Sequence, residues 1–183
     1  MMRPIINRSA ACTHFMIVSM RAAVVTVCLM GTTAAHAAVP DWDRVANVKH
    51  AAEQIGDIQA KGGAERAFRF ITACYKTHSL ASAYSRPFES CIAQDFMLSQ
   101  TLALIYERLD PAVLKRIGVP TKDMLQQSLN QRVNGAYANY QMPPSEGYAL
   151  KAIVDEHGMP VFFKYVFPKG DVPNSAAPAG SKP

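Results

Sequence analysis

Apolar residues recur every three or four positions between residues 45 and 140, which is the spacing of amphipathic helices. Asp41 is the predicted N-cap of the first helix, and Gly62 with Gly63 predicts its end. The inner face of this helix consists of Val45, Val48, Ala52 and Ile55. A second helix follows, and its inner face consists of Ala67, Phe68, Ile71, Cys74, Tyr75 and His78.

Proline and glycine set the bounds of the helices that follow. Pro87 fits the first turn of a long third helix. Backbone N–H groups in the first turn have no acceptor within the helix, so proline loses no hydrogen bond there. Asp110 and Pro111 predict the start of a short helix that ends at Gly118, and Thr121 caps the last helix. The stripe of the third helix, apolar except for its aspartate, is Phe88, Cys91, Ile92, Asp95, Leu98, Leu102, Ile105 and Leu109.

After the Pro143-Pro144 break the period of the pattern becomes two. Residues 148–154 alternate along one apolar face, residues 161–167 form a second apolar run, and residues 155–158 lie between them as a turn. With a four-residue loop, Leu150 lies opposite Phe163 on one face of the hairpin, and Lys151 and Lys164 lie on the other face. The pattern therefore predicts an antiparallel hairpin, packed on the helices because a hairpin alone is only marginally stable.

These elements predict a mainly α fold: four to five helices stapled by one disulfide, with a C-terminal two-stranded antiparallel β-hairpin. The single predicted domain covers residues 38–167. Residues 168–183 consist mostly of Pro, Ala, Gly, Ser and Lys without an apolar pattern, so we expect a disordered tail.

Residues 1–37 have the pattern of a secretory signal peptide. Arg21 precedes an apolar run at residues 22–30, and Ala35 and Ala37 are the small residues that predict cleavage before Ala38; Met20 is an alternative start. The apolar run is far shorter than the roughly 20 residues of a membrane-spanning helix. We therefore expect a soluble protein, periplasmic or secreted, with no integral membrane segment after cleavage.

The net charge of the chain bears on which kinds of molecule it can bind. The precursor has a formal net charge of +5, but residues 38–183 carry 16 basic and 14 acidic side chains, which leaves +2. The one basic pair, Lys115-Arg116, fits the end of a short helix. This balance argues against nucleic acid and anionic membranes. The expected partner is another periplasmic or envelope protein, and the oligomeric state stays open.

Cys74 and Cys91 are the two cysteines beyond the predicted cleavage site. Two cysteines in an oxidising compartment usually pair with each other. Their separation favours a structural staple over a redox pair, since thiol oxidoreductases carry both cysteines in a C-x-x-C motif.

No metal or cofactor is expected. Cys74 and His78 lie on one helical face, but haem attachment needs C-x-x-C-H and zinc needs three or four ligands. A disulfide-bonded Cys74 is not a ligand, so we expect His78 at a helix interface with a local hydrogen bond. The scattered methionines form no cluster and are expected to fill gaps in the core.

Asp95 is the most unusual polar residue, because it falls on an apolar stripe. We expect it to be buried, together with His78 and Arg69, and to form an interhelical ion pair with Arg66 or Arg69. The alternative is a catalytic acid with a raised pKa. An enzyme site here would need Asp95, His78 and the nearby serines to converge, and the chain carries no nucleophile-elbow or phosphate-loop motif.

The expected function is therefore non-catalytic: an exported accessory or protein-binding module. Its candidate surface is the outer face of the hairpin, which would recruit an extended segment by strand addition. This surface consists of Lys151, Ile153, Phe162 and Lys164. Phe162 is expected to be exposed and Phe163 buried. The alternative is a carrier of a small apolar ligand, with a pocket lined by Tyr137, Tyr140, Phe163 and Tyr165.

Overall fold

The computed structural model describes residues 40–170 of the 183-residue chain. This range contains helices and no strand. The elements are α1 (Arg44–His78), α2 (Arg86–Tyr106), α3 (Pro111–Ile117), α4 (Lys122–Asn139), α5 (Pro144–Ile153), a π turn (Val154–Gly158) and α6 (Met159–Val166). Among these helices, none is both long enough and apolar enough to cross a membrane. The predicted signal peptide and residues 171–183 of the predicted tail lie outside the described residues.

The first two predicted helices form the two halves of α1, which is interrupted at Gly63. The backbone of Gly63 has φ 71° and ψ −179°, a conformation that glycine adopts without strain. The predicted helix end at Gly62-Gly63 is therefore confirmed as a kink. The N-cap is Asp43 and not Asp41, since the Asp43 carboxylate accepts a hydrogen bond from the Ala46 N–H at 2.9 Å.

The predicted starts of the middle helices and the predicted end of α3 are confirmed, whereas α2 ends at Tyr106, before Leu109 of its predicted stripe. Pro87 lies in the first turn of α2, and Gly118 ends α3 in the left-handed conformation with φ 69°. Asp110 caps α3 and Thr121 caps α4, in each case with the side-chain oxygen as the acceptor.

The central helix of the fold is α2. It packs against α1, α4, α5 and the π turn, while α6 packs on α1. From Phe88 to Ala103 only Ser90 and Gln100 are even partly exposed. Because α2 is covered on nearly all sides, its few polar side chains need partners inside the protein.

The expected hairpin is wrong, because residues 148–166 are helical. The buried positions Leu150, Val154, Gly158 and Phe162 are four residues apart. An α-helix has 3.6 residues per turn, so a strict four-residue repeat would drift around its surface. The wider π turn absorbs the extra residue and keeps these positions on one face. Short alternation in a largely apolar segment did not distinguish this arrangement from a strand.

Pro160 and Gly158 account for the π turn. Pro160 has no N–H to donate and would crowd the carbonyl four residues earlier in a regular α-helix. The chain widens instead, and the Met159 N–H donates to the Val154 carbonyl, five residues back. Gly158 lets this turn approach α1 and α2 closely: a Cβ there would lie 2.8 Å from Val48 Cγ1.

Candidate functional site

A groove of about 630 Å³ lies between α4 and α5, with part of α2 as its floor. We call it the α4–α5 groove. Gln141, with φ 53°, and the Pro143-Pro144 pair reverse the chain between the two helices. Gly147 allows the helices to approach, since a Cβ there would lie 3.3 Å from the Tyr137 ring. The lining residues are Phe96, Asn130, Val133, Asn134, Tyr137, Ala138, Met142, Pro144, Gly147, Tyr148 and Lys151.

The wall of the α4–α5 groove is mainly apolar. Its polar side-chain groups are the amides of Asn130 and Asn134, the ammonium of Lys151, and the phenol hydroxyls of Tyr137 and Tyr148. Lys151 Nζ pairs with the Asp155 carboxylate, and both of these side chains remain partly exposed. Tyr148 is 76% exposed at the edge of the groove. The groove therefore offers an apolar surface to a ligand, with amide and ammonium donors at its border.

The pocket expected from the sequence differs from this groove in three of four residues. Tyr137 lines the groove, whereas Tyr140, Phe163 and Tyr165 do not. Tyr140 packs its ring against Phe88, with ring centroids 5.1 Å apart. Tyr165 lies over Gly56, on the α1–α6 contact. The expectation depended on the hairpin, which would have carried two of these residues.

The expected interaction surface is also changed by the helical C-terminal segment. Phe162 is fully buried, at 0% exposure, which corrects the expectation that it is exposed. Ile153 and Lys151 are half-buried, while Lys164 is exposed. These four residues therefore do not form one exposed strand face.

Asp95 is fully buried and forms an interhelical ion pair, as expected, but its partner is Arg132 of α4. Arg132 donates from Nε to Oδ2 at 2.6 Å and from Nη2 to Oδ1 at 2.7 Å. Hydrogen bonding to Asp95 raises the pKa of Arg132. Tyr75 and Ser99 also donate to the Asp95 carboxylate. Every acceptor of this carboxylate is engaged, which is the pattern of a structural pair.

The expected partners Arg66 and Arg69 both lie on the exposed side of α1. Arg69 pairs with Glu65 on its own helix, so its predicted burial is wrong. Neither arginine reaches Asp95, because α1 presents Tyr75 to this carboxylate instead.

A second buried carboxylate, Glu89, was not anticipated. It accepts hydrogen bonds from Trp42 Nε1 and Arg44 Nε, both at 2.8 Å, and from Asn47 Nδ2 at 3.2 Å. Arg44 also reaches Glu146 of α5 at 3.0 Å, and so connects α1, α2 and α5. A signal was available: residues 90–106 contain a single charged residue, which indicates a helix enclosed on all sides.

Tyrosines lie beside both buried carboxylates, since Tyr84 donates to Glu89 and Tyr75 donates to Asp95. Tyr84 stacks on Tyr137 with ring centroids 5.9 Å apart. Burial raises the pKa of Tyr137 to about 12, and burial also raises the pKa values of Tyr84 and Tyr75. These phenols are therefore neutral at neutral pH.

The expected cysteine pair is present: the Cys74 and Cys91 sulfurs lie at disulfide distance, with Cα atoms 5.7 Å apart. His78 lies one helical turn after Cys74. One ligand atom each of Cys74, His78 and Cys91 lie within 4.8 Å of one another. His78 is half-buried, and within residues 40–170 its imidazole makes none of the local hydrogen bonds that we expected.

A smaller cavity of about 310 Å³ adjoins this cluster. Cys74, His78, His50 and Gln94 are among its lining residues. Gln94 is fully buried; its Nε2 donates to Gln54, while its Oε1 has no hydrogen-bond partner in the part of the chain that the structure describes.

The residues of the expected enzyme alternative do not converge on one another. Asp95 accepts its hydrogen bonds from Arg132, Tyr75 and Ser99. Ser90 donates to Asn47 Oδ1 at 2.8 Å, and Ser85 caps α2. Ser85 and Ser90 therefore have local structural partners.

The chain matches no protein-family model, no curated protein and no solved structure closely enough to indicate a relationship. Its function has to be argued from the geometry above.

Proposed function

We propose that this chain is an exported, non-catalytic binding protein that carries a small apolar ligand in the α4–α5 groove. The observation that supports this proposal is the groove itself, whose volume of about 630 Å³ lies within the range of small-molecule sites, roughly 300–1,000 Å³.

The lining defines the chemistry of the ligand. Val133, Met142 and Phe96 favour an apolar or aromatic body, because burial of apolar surface is the main driving force for binding. The amides of Asn130 and Asn134 and the ammonium of Lys151 favour an acceptor or anionic group at one end. The ligand class is therefore a small, mainly apolar molecule that carries one acceptor or carboxylate group.

We also propose that the protein is located in the periplasm. This location is supported by the signal-peptide pattern of residues 1–37 and by the Cys74–Cys91 pair, since disulfides persist in oxidising compartments. Export followed by cleavage before Ala38 is tested by the N-terminal mass of the protein from a periplasmic fraction. An uncleaved chain in the membrane fraction would contradict it.

A protein partner is the second candidate, and the exposure of Tyr148 favours it. An aromatic side chain that is 76% exposed at the rim of an apolar groove resembles the anchors that dominate protein interfaces. If the ligand is a protein, the groove receives one apolar side chain of a periplasmic or envelope protein. This mode of binding does not use the strand addition expected from the sequence.

The groove is tested with anilinonaphthalene sulfonate, a fluorescent probe with an aromatic body and one anionic group. We expect saturable binding by the purified protein at one site. Ala138→Trp should weaken it at least tenfold, because Ala138 is an exposed residue of the groove wall where an indole would fill the space.

The matched control is Ala152→Trp, at an exposed position of α5 outside the groove, which should bind the probe within about twofold of wild type. Equal binding by Ala138→Trp and wild type would refute the site. A photo-crosslinking amino acid at position 148 separates the two candidates, since a specific polypeptide adduct in the periplasm supports a protein partner.

A further inference from the structure

The sulfur pair and the neighbouring imidazole form a possible metal-binding set at the α1–α2 contact. We propose that, when the disulfide is reduced, Cys74, His78 and Cys91 bind one thiophilic metal ion of the Zn²⁺ or Cu⁺ class. The disulfide would then be one of two states of this site, and the metal-bound dithiolate the other.

The helices already place three ligand atoms together. Cys74 and His78 are four residues apart on α1, so both side chains project from the same face. Cys91, in the first turns of α2, lies opposite them. The two sulfurs and one imidazole nitrogen lie within 4.8 Å of one another. Once the S–S bond is broken, side-chain rotations that move the sulfurs apart bring all three atoms to the roughly 2.0–2.3 Å bonds of a zinc ion.

The surroundings leave the imidazole available. Among residues 40–170 the imidazole has no hydrogen-bond or ion-pair partner, and His78 lines the 310 Å³ cavity beside Cys74. This cavity gives an ion access and has room for a fourth ligand. The unpartnered Oε1 of Gln94, a fully buried residue, is a further polar atom at the cavity wall and can accept a hydrogen bond from a metal-bound water.

The donor set selects the ion. Two thiolates and one imidazole suit Zn²⁺ and Cu⁺, whereas Ca²⁺ and Mg²⁺ require oxygen ligands. Three protein ligands satisfy a three-coordinate Cu⁺ ion. They leave a tetrahedral Zn²⁺ ion one position for water.

The change of state is a two-electron reduction. A reducing dithiol transfers two electrons and two protons to the Cys74–Cys91 bond, and its own two thiols become a disulfide. Each cysteine then releases its proton to solvent as its sulfur binds the ion. Because the ion binds only the thiolate form, it favours reduction of the pair, and oxidation releases it.

The test uses the purified protein, reduced with a dithiol, freed of reductant and kept anaerobic. Co²⁺ serves as the spectroscopic probe for the zinc geometry, and Cu⁺ is titrated against a colorimetric chelator in a parallel arm. We expect one equivalent to bind, with thiolate-to-cobalt charge-transfer absorption, and Zn²⁺ to raise the Tm of the reduced protein by about 5 °C. The oxidised protein should show neither effect.

His78→Ala should weaken binding at least about tenfold, since loss of even an outer-sphere partner costs roughly 10–100-fold. His157→Ala is the matched control, because this histidine lies in the π turn and outside the cluster. Stronger Cu⁺ than Zn²⁺ binding relative to free thiols would assign the site to copper. The proposal is overturned if reduced wild type gives no charge-transfer band with Co²⁺ and no Cu⁺ retention, or if His78→Ala binds as tightly as wild type.

Discussion

Arg132 and Asp95 form a two-pronged ion pair, in which Nε and Nη2 of the guanidinium reach the two carboxylate oxygens at 2.6 and 2.7 Å. The pair joins α4 to the enclosed helix α2, 37 residues apart along the chain. Ser128 accepts a further hydrogen bond from Arg132 on the same helix. This contact therefore fixes the position of the helix that forms one wall of the α4–α5 groove.

Arg132→Ala is expected to lower the free energy of unfolding by about 3 kcal/mol, because it leaves the Asp95 carboxylate buried without its cation. This is the low end of the usual range, since the Arg132 side chain is one-third exposed. Arg69→Ala is the control and should change stability by no more than about 0.5 kcal/mol, as its ion pair lies at the surface. Urea unfolding measures the unfolding free energy of both variants. Equal losses for Arg132→Ala and Arg69→Ala would contradict the assignment of Asp95–Arg132 as a buried structural ion pair.

Gly158→Ala is expected to destabilise the protein by about 1–3 kcal/mol through overpacking. The new Cβ would lie 2.8 Å from Val48 Cγ1 and 3.0 Å from Met97 Sδ, and both neighbours are fully buried. Gly135→Ala on α4 meets nothing within 4 Å and should stabilise by about 0.5–1 kcal/mol. Thermal unfolding measures the stability of both variants. A Gly158→Ala variant as stable as wild type would exclude the close contact of Gly158 with Val48 and Met97.

Phe162→Ala and Phe163→Ala should destabilise to a similar extent, by about 3–5 kcal/mol each, because both rings are buried in the helical C-terminal segment. Leu80→Ala, at a position 87% exposed, is the control and should have little effect. Chemical denaturation provides the measurement. A large loss for Phe163→Ala alone would favour the hairpin, in which the two rings lie on opposite faces.

Stability is expected to fall between about pH 10 and 12. Burial raises the pKa of Tyr137 to about 12 in the folded protein, whereas an unfolded tyrosine ionises near 10. The folded state therefore holds the proton longer, and its stability decreases as the pH rises from the unfolded to the folded pKa. Between about pH 10 and 12 the Tyr137→Phe variant should lose about 2 kcal/mol less of its unfolding free energy than wild type does. A variant whose stability falls as steeply as that of wild type would contradict it.

Reduction of the Cys74–Cys91 pair is expected to cost about 3 kcal/mol of stability, because the closed loop restricts the unfolded chain. Urea unfolding with and without a dithiol, in the absence of metal ions, measures the difference, and Cys74→Ser should match the reduced protein. Two freely reacting thiols in the untreated protein would show that the pair does not form.

Local chemistry in the sequence was sufficient to place most helix bounds. Pro87, Gly118 and Thr121 each act on their own backbone or on the next turn, so their effects do not depend on distant residues. Gly63 similarly marks the kink of α1, and the pairing of two cysteines followed from their number. These features were determined by the sequence alone.

The tertiary structure decided which side chains meet. The sequence predicted that Asp95 would be buried and paired, but Arg132 became its partner because α4 packs on α2 at that point. Glu89 is buried and paired because α1 packs on α2, which brings Arg44 to it from 45 residues away. The period-two pattern wrongly predicted strands in residues 148–166, because packing of Leu150, Val154 and Phe162 on one face selected the helical form with its π turn. Such contacts depend on the arrangement of whole helices, which no local pattern specifies.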